Sequence, residues 1–128
     1  MSRSDAIYLR HILDAITRTE SYTHGVDEAA FFAQPLLQDG VIRQIEIIGE
    51  AVKQLSSALR DRYPQIPWKD VAGMRDKLIH QYFSVDIGAV WLTAVHDLPA
   101  FKADVEAIVR NIQAVSYTHL TLPTIYSV

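Results

Sequence analysis

The stretch LQDGVIRQIEIIGEAVKQLSSAL, residues 37–59, decides the fold. Its large aliphatic residues recur at steps of three and four and form an apolar seam of Leu37, Val41, Ile45, Ile48, Val52, Leu55 and Leu59. This spacing predicts one helix of about six turns that packs as helices do in bundles. Ile42, Ile47 and Ala51 form a second apolar flank, so we expect this helix to contact two neighbours.

Gly49 and Glu50 interrupt the aliphatic pattern inside this predicted helix. Glycine costs about 1 kcal/mol relative to alanine in a helix interior, so its presence needs a reason. We expect another helix to approach closely at Gly49. A functional role for Glu50 is the alternative.

Upstream of this stretch, the aliphatic spacing predicts a first helix, with Ser4 or Asp5 as its cap, on the stripe of Leu9, Ile12, Leu13 and Ile16. Asp27 is placed to cap a short helix that holds Phe31 and Phe32. Downstream, the two prolines of YPQIPW (63–68) end the long helix.

A fourth helix is predicted to begin near Trp68 or Lys69 and to run through GMRDKLIHQYF (73–83). Asp86 is placed to cap a fifth helix, and Pro99 suits the first turn of a sixth. That last helix is amphipathic through Phe101, Val105, Ile108 and Ile112. No credible β alternation occurs in residues 1–114, so the prediction is an all-α, up-and-down bundle of five to six helices.

The segment VSYTHLTLPTIYSV, residues 115–128, differs from the rest because it contains no Asp, Glu, Lys or Arg. Its first ten residues resemble a translated transposase adapter of the kind used to prepare sequencing libraries. We therefore expect a helical domain over 1–114 and a non-native tail over 115–128, and we assign no function to that tail. A genuine hydrophobic tail is the alternative.

The bulk composition restricts the classes of function. The chain has 128 residues, no cysteine and a formal net charge of -3. These values indicate one domain without disulfides, and they argue against nucleic-acid binding through a broad basic surface. No long apolar run indicates a membrane span, and charged residues interrupt any signal-like segment near the N-terminus, so we expect a cytoplasmic protein.

The motif GMRDKLIHQYF contains the residues that are the best candidates for a catalytic role. Histidine at 80 can transfer a proton near neutral pH, and Arg75 can bind a phosphate and stabilise its charge. Asp76 could hold the imidazole, and Tyr82 offers a hydroxyl that binds phosphate or is itself modified. Together they would suit phosphodiester cleavage without metal. The alternative is structural: a solvated Arg–Asp pair, a surface histidine and an interface tyrosine.

The geometry of the motif raises a difficulty, because Arg75 and His80 point about 140° apart on an ideal helix. Either the helix is distorted near Gly73, or the arginine curls round, or a second copy completes the pocket. Other histidines give weaker signals: His11 and His24 lack a partner pattern, and His96 beside Asp97 suggests a helix-end contact. No residues have metal-ligand or cofactor-binding spacing, so we expect neither group.

Two stretches together resemble one known family. IPWKDVAGMRDKLIHQYFSVDIGAVW (66–91) and QDGVIRQIEIIGEAVKQLS (38–56) are similar to the HepT family of HEPN-fold proteins, and the likeness extends over residues 5 to about 112. That family carries an arginine, four to six intervening residues, a histidine, one further residue and a tyrosine. The resemblance implies a homodimeric α-helical ribonuclease that is the toxin of a toxin–antitoxin pair, with an MntA-like nucleotidyltransferase as antitoxin.

Residue by residue, the resemblance implies that Arg75 and His80 are catalytic and that Tyr82 is the hydroxyl to which the antitoxin attaches AMP. Asp76 departs from the family, which commonly has asparagine there. The two motifs face each other across such dimers, so Arg75 and His80 need not converge within one chain. The apolar seam and exposed aromatic residues are then candidates for the dimer interface.

The leading hypothesis is therefore a metal-independent endoribonuclease that is neutralised by AMPylation of Tyr82. The rival is a non-catalytic dimeric binding module that docks a nucleotidyltransferase and presents nucleotide or RNA. The acidic balance and Asp76 favour the rival, whereas the intact set of Arg75, His80 and Tyr82 favours the enzyme.

Overall fold

The structure is a computed structural model that describes the backbone of residues 2–80 and 84–127 and the side chains of 2–78 and 85–113. Eight α-helices occur in these residues: α1 Arg3–Thr23, α2 Glu28–Phe32, α3 Pro35–Gln54, α4 Ser57–Arg62, α5 Trp68–Ala72, α6 Met74–Leu78, α7 Ile87–Leu92 and α8 Leu98–Ser127. Two antiparallel strands, β1 Ile79–His80 and β2 Ser84–Val85, are two residues long each. The predicted all-α class is confirmed.

Helix α3 lies at the centre of the bundle and contacts α1, α2, α5, α6 and α7. Its predicted apolar seam is buried from Val41 to Val52, in one cluster with side chains of α1 and α8 that include Leu9, Ile12, Ile16, Val105 and Ile108. The expectation that this helix has more than one neighbour is confirmed. The seam lies inside the chain's own core, so its interpretation as a dimer interface is wrong.

The long helix predicted through Leu59 is divided into α3 and α4. Leu55 and Ser56 are extended, and the Ser56 hydroxyl accepts a hydrogen bond from the Leu59 N–H at the start of α4. The buried carboxylate of Asp5 accepts from both the N–H and the hydroxyl of Ser56, at 2.8 and 2.7 Å. Asp5 is therefore a link between helices, and the α1 cap is Ser2 rather than Ser4 or Asp5.

Two helix caps and one first-turn proline lie where the sequence predicts them. Asp27 caps α2 and Asp86 caps α7, each by accepting a backbone N–H three residues on. Pro99 lies in the first turn of α8, directly after a π turn at Thr93–Asp97. Because proline lacks an N–H and its ring crowds the carbonyl four residues earlier, the wider π turn accommodates it without ending the helix.

The prediction that one helix runs from Trp68 through the motif is wrong. Gly73 separates α5 from α6, and α6 ends at Leu78, where the chain enters β1. The Asp86 N–H donates to the Leu78 carbonyl at 3.0 Å, which brings the two ends of the intervening segment together. The capping role of Asp86 and the β-branched Ile79 and Val85 favour this pair of strands over a continued helix.

The two tryptophans pack in different parts of the bundle. Trp68 donates its indole N–H to the Tyr63 carbonyl at 3.0 Å and meets Phe101 of α8 edge-on, with ring centroids 5.9 Å apart. Trp91 of α7 lies against Phe31 of α2, with centroids 5.2 Å apart. The contact of Trp68 anchors the chain just before the motif. The contact of Trp91 joins α2 to α7, the helix that follows the motif.

The backbone of α8 stays helical through 115–127, the segment predicted to be non-native. The origin of that segment and the domain boundary at 114 remain predictions. Across the part of the chain that the structure describes, no helix is both long and apolar enough to cross a membrane.

Candidate active site

The structure places the four predicted site residues in different ways. Arg75 and Asp76 lie on α6, and both side chains are exposed. The backbone of His80 lies in β1, paired with Ser84, and its side chain is outside the described part of the chain. Tyr82 lies outside the described residues altogether. The geometry of the site is therefore that of Arg75 and its surroundings.

Arg75 opens onto a cleft of about 590 Å³ that is framed by α1, α3, α5 and α6. Most of its lining residues belong to α3, and the others belong to α1, α5 and α6. The lining residues are Tyr8, His11, Arg43, Glu46, Ile47, Gly49, Glu50, Ala51, Lys53, Gln54, Ala72, Arg75 and Asp76. We call this the α3 cleft.

Two carboxylates hold the guanidinium of Arg75. Its Nε lies 3.3 Å from Glu46 Oε2, and one terminal nitrogen lies 3.6 Å from Asp76 Oδ1. About half of the Arg75 side chain and most of the Asp76 side chain are exposed. Exposed ion pairs contribute only about 0–1 kcal/mol, so a phosphate oxygen could replace Asp76 at small cost. Glu46 is about one-third exposed, so its pair with Nε is less accessible to a ligand.

Gly49 sets the distance between α3 and the corner that leads to Arg75. A Cβ at position 49 would lie 3.1 Å from the Ala72 carbonyl oxygen, closer than side chains normally approach a backbone atom. The expected close approach of another helix is thus confirmed. Glu50 lines the cleft and pairs with Lys53 at 3.3 Å, and both side chains are largely exposed.

Sequence reasoning missed several residues of this cleft. A polar stripe on α3 consists of Arg43, Glu46, Glu50 and Lys53, and its spacing of three and four residues is as regular as that of the seam. That spacing was the available signal, because it predicts one continuous polar face. Tyr8 and His11 on α1 gave no comparable signal, since nothing local links them to α3.

The other side of α6 faces a second cavity of about 450 Å³. Met74 and Leu78 line it together with His96 and Asp97 of the π turn. His96 and Asp97 are in contact, with Nδ1 and Oδ1 3.1 Å apart, and both side chains are exposed. They lie in the π turn that joins α7 to α8, so the prediction that they meet at the end of a helix is wrong. Among the residues that the structure describes, no group of three or more His, Asp or Glu could hold a metal ion.

Comparison with known proteins identifies a family that this chain matches. The model of the family described as ribonuclease HepT-like matches residues 12–108, which include α3, α6 and the whole motif. No solved structure matches the chain.

Curated relatives agree with the family match. A Methanocaldococcus jannaschii protein named gamma-glutamylcyclotransferase and candidate RNase is 46% identical over 112 residues, which are 88% of this chain and 50% of the relative. The chain thus spans half the length of that relative. A candidate RNase of the same organism is 42% identical over 83% of this chain and 91% of its own length. A candidate ribonuclease HepT of Thermococcus cleftensis is 41% identical over 84% and 98%.

Proposed function

The chain belongs to the HepT-like ribonuclease family, and from that premise we propose that it is a metal-independent endoribonuclease that acts as the toxin of a toxin–antitoxin pair. The observation that carries the proposal is the position of Arg75. It lies within the matched stretch, in an open cleft, and its pair with the exposed carboxylate of Asp76 is one that a phosphate can displace.

In the proposed reaction, the 2′-oxygen of a ribose attacks the adjacent phosphorus, and the bond from phosphorus to the 5′-oxygen of the next nucleotide breaks. His80 accepts the proton of the 2′-hydroxyl or supplies the proton to the leaving 5′-oxygen. Arg75 binds the non-bridging oxygens and stabilises their charge as the pentacoordinate phosphorus forms. The products are a 2′,3′-cyclic phosphate and a 5′-hydroxyl end.

In the proposed homodimer, each of the two chains contributes its copy of the motif to one reaction site. In it, Arg75 and His80 of the two chains face a shared cleft, so that the second proton-transfer group comes from the partner. Light scattering of the purified protein is expected to give twice the 14.5 kDa mass of one chain. A monomer that still cleaves RNA would contradict this arrangement.

Regulation by an MntA-like nucleotidyltransferase is part of the proposal. The Tyr82 hydroxyl attacks the α-phosphorus of ATP, pyrophosphate leaves, and Tyr82 carries AMP. A bulky anion two residues from His80 would exclude RNA by size and charge. Co-expression with the nucleotidyltransferase should add the mass of AMP and abolish toxicity, and Tyr82→Phe should remain toxic and unmodified.

A second function, a dimeric binding module without catalysis, is favoured by one observation. Glu46 and Asp76 both contact Arg75 and offset its charge. Such an arginine could dock an acidic nucleotide or a nucleotidyltransferase without accelerating any reaction.

Cleavage of total RNA in EDTA by the full chain separates the two functions. The parent is compared with Arg75→Ala and His80→Ala, and with the controls Arg62→Ala and His24→Ala, which alter exposed residues outside the α3 cleft. The enzyme predicts cleavage by the parent and both controls, with at least a 100-fold loss in the two motif variants.

Two outcomes of this RNA cleavage assay would contradict the ribonuclease mechanism. If no protein of the set cleaves RNA, or if the motif variants cleave as fast as the parent, the ribonuclease mechanism is wrong. Binding of the nucleotidyltransferase by a folded, inactive parent would then establish the second function.

A further inference from the structure

The α1 border of the α3 cleft is aromatic. Tyr8 and His11 lie one helical turn apart, and their rings meet edge to face with centroids 5.8 Å apart. Tyr8 is half-buried and packs against the core, whereas His11 is exposed. The border therefore consists of the Tyr8 ring, which packing holds in place, and the exposed His11 ring, which a ligand can contact.

The charges of the cleft are balanced rather than basic. Three cationic side chains, Arg43, Lys53 and Arg75, share it with three carboxylates, Glu46, Glu50 and Asp76. Surfaces that follow a nucleic-acid backbone over many phosphates are predominantly positive. A cleft with mixed charges suits a ligand that itself has a small anionic end and a neutral polar part.

A single ribonucleotide has that composition. Its phosphate suits Arg75, its ribose hydroxyls can donate to carboxylates, and its base can stack on aromatic rings. The volume of about 590 Å³ falls within the range of about 300–1,000 Å³ that small-molecule sites occupy. The overall charge of -3 also indicates that RNA is held at a small site rather than along a broad surface.

We propose that the α3 cleft binds one ribonucleotide unit of the RNA, with its phosphate toward Arg75 and its base against Tyr8 and His11. This inference rests on the proposed ribonuclease function and extends it. The two aromatic residues then act in substrate binding and not in proton transfer. They select which nucleotide adjoins the cleaved bond.

The test is a titration of the full chain, in EDTA, with each of the four ribonucleoside 5′-monophosphates. Proton NMR follows the imidazole signals, and the His11 signal is assigned by its loss in His11→Ala. The expected result is a shift of the His11 signal by at least one of the four nucleotides. Affinity, measured by calorimetry because His11→Ala lacks the reporting imidazole, should fall about 5- to 100-fold in His11→Ala and Tyr8→Leu, the range for loss of a stacked base.

The matched control is His24→Ala, which removes an exposed histidine at the far end of α1, outside the cleft. It should bind nucleotides as the parent does. With RNA as substrate, His11→Ala should raise KM by a similar factor and leave kcat within about twofold, because a residue that only binds does not change the chemical step.

The outcomes distinguish this inference from the function it rests on. If no nucleotide shifts the His11 signal, or if His24→Ala weakens binding as much as His11→Ala, the inference is overturned even in an active ribonuclease. If the parent binds a nucleotide through His11 and cleaves no RNA, the nucleotide site stands and the ribonuclease function fails. Should Tyr8→Leu fail to fold, the exposed His11 still decides the question.

Discussion

At the scale of single residues, we expect the contacts of Arg75 to decide how well the proposed site binds RNA. Glu46 binds Nε and so fixes the plane of the guanidinium, which leaves the terminal nitrogens to meet a phosphate. Asp76 lies 3.6 Å from one of those nitrogens and competes for it. The two carboxylates therefore have different expected effects: Glu46 would orient the arginine, and Asp76 would oppose the binding of a phosphate.

Asp76→Asn is expected to raise kcat/KM for RNA about three- to tenfold at low salt. An opposite unit charge about 4 Å away is worth about 1 kcal/mol in water, and Asp76 is mostly exposed. Asparagine also adds a donor that can bind a phosphate oxygen. Initial rates of RNA cleavage at 50 mM and 500 mM salt measure the effect.

Most of the gain should disappear at the higher salt, because ions screen exposed charges. Asp39→Asn is the control, since it removes an exposed carboxylate on α3 outside the cleft. An equal gain in Asp39→Asn would show that overall charge, and not the contact with Arg75, controls the rate.

At the scale of the elements, α3 has two working faces. Its apolar seam packs the core, and its polar stripe faces the cleft. Ala72 lies against Gly49, and Arg75 follows three residues later on α6, so a shift of α5 would also move the arginine.

Gly49→Ala is expected to destabilise the protein although alanine favours helix. The new methyl would meet the Ala72 carbonyl at 3.1 Å, and overpacking of this kind costs about 1–3 kcal/mol. Gly88→Ala is the matched control, because a methyl there meets its neighbours at an ordinary 3.6 Å. Thermal unfolding should give a lower midpoint for Gly49→Ala than for Gly88→Ala, and the reverse order would refute the close approach.

The link between α1 and the α3–α4 junction predicts a dependence on pH. Burial alone would raise the pKa of Asp5, but the hydrogen bonds from Ser56 and Ser2 together outweigh it, and the pKa lies below its ordinary value. A lowered pKa in the folded state means that the stabilisation is complete above the unfolded pKa of about 3.9 and is lost as the pH falls toward the folded value.

Asp5→Asn should therefore lower the free energy of unfolding by about 1–3 kcal/mol at pH 7, because the amide cannot accept both hydrogen bonds from Ser56. The difference from the parent should shrink as the pH falls from about 4 to about 2. Urea titrations across this range measure it, with Asp39→Asn as the exposed control. A constant difference would show that the charge of Asp5 plays no part.

At the scale of the whole molecule, the sequence predicts the features that depend on near neighbours. The helical class, the caps at Asp27 and Asp86 and the close approach at Gly49 follow from spacing and local propensity. The break at Leu55–Ser56 does not, because the partner of Ser56 is Asp5, 51 positions away. The same holds for the cleft, since Glu46 and His11 are far from Arg75 in the chain and only folding brings them to one site.

Removal of residues 115–128 is expected to leave the fold intact. Among the side chains that the structure describes, which extend to Gln113, the last buried core residue of α8 is Ile108, and the family match ends there as well. A chain that ends at Ala114 should unfold within about 4 °C of the full chain and cleave RNA at the same rate. A loss of 10 °C or more would mean that the segment is part of the folded domain.

The separate locations of the two tryptophans give the molecule a pair of built-in optical reporters. Trp68 lies just before the motif, against α8, and Trp91 lies against α2. With Trp91→Phe only the first emits, and with Trp68→Phe only the second. Coincident fluorescence transitions would show that the region around Trp68 and the pair of helices α2 and α7 unfold together. An earlier transition at Trp68 would mean that the α5–α6 corner opens while the remainder of the bundle is still folded.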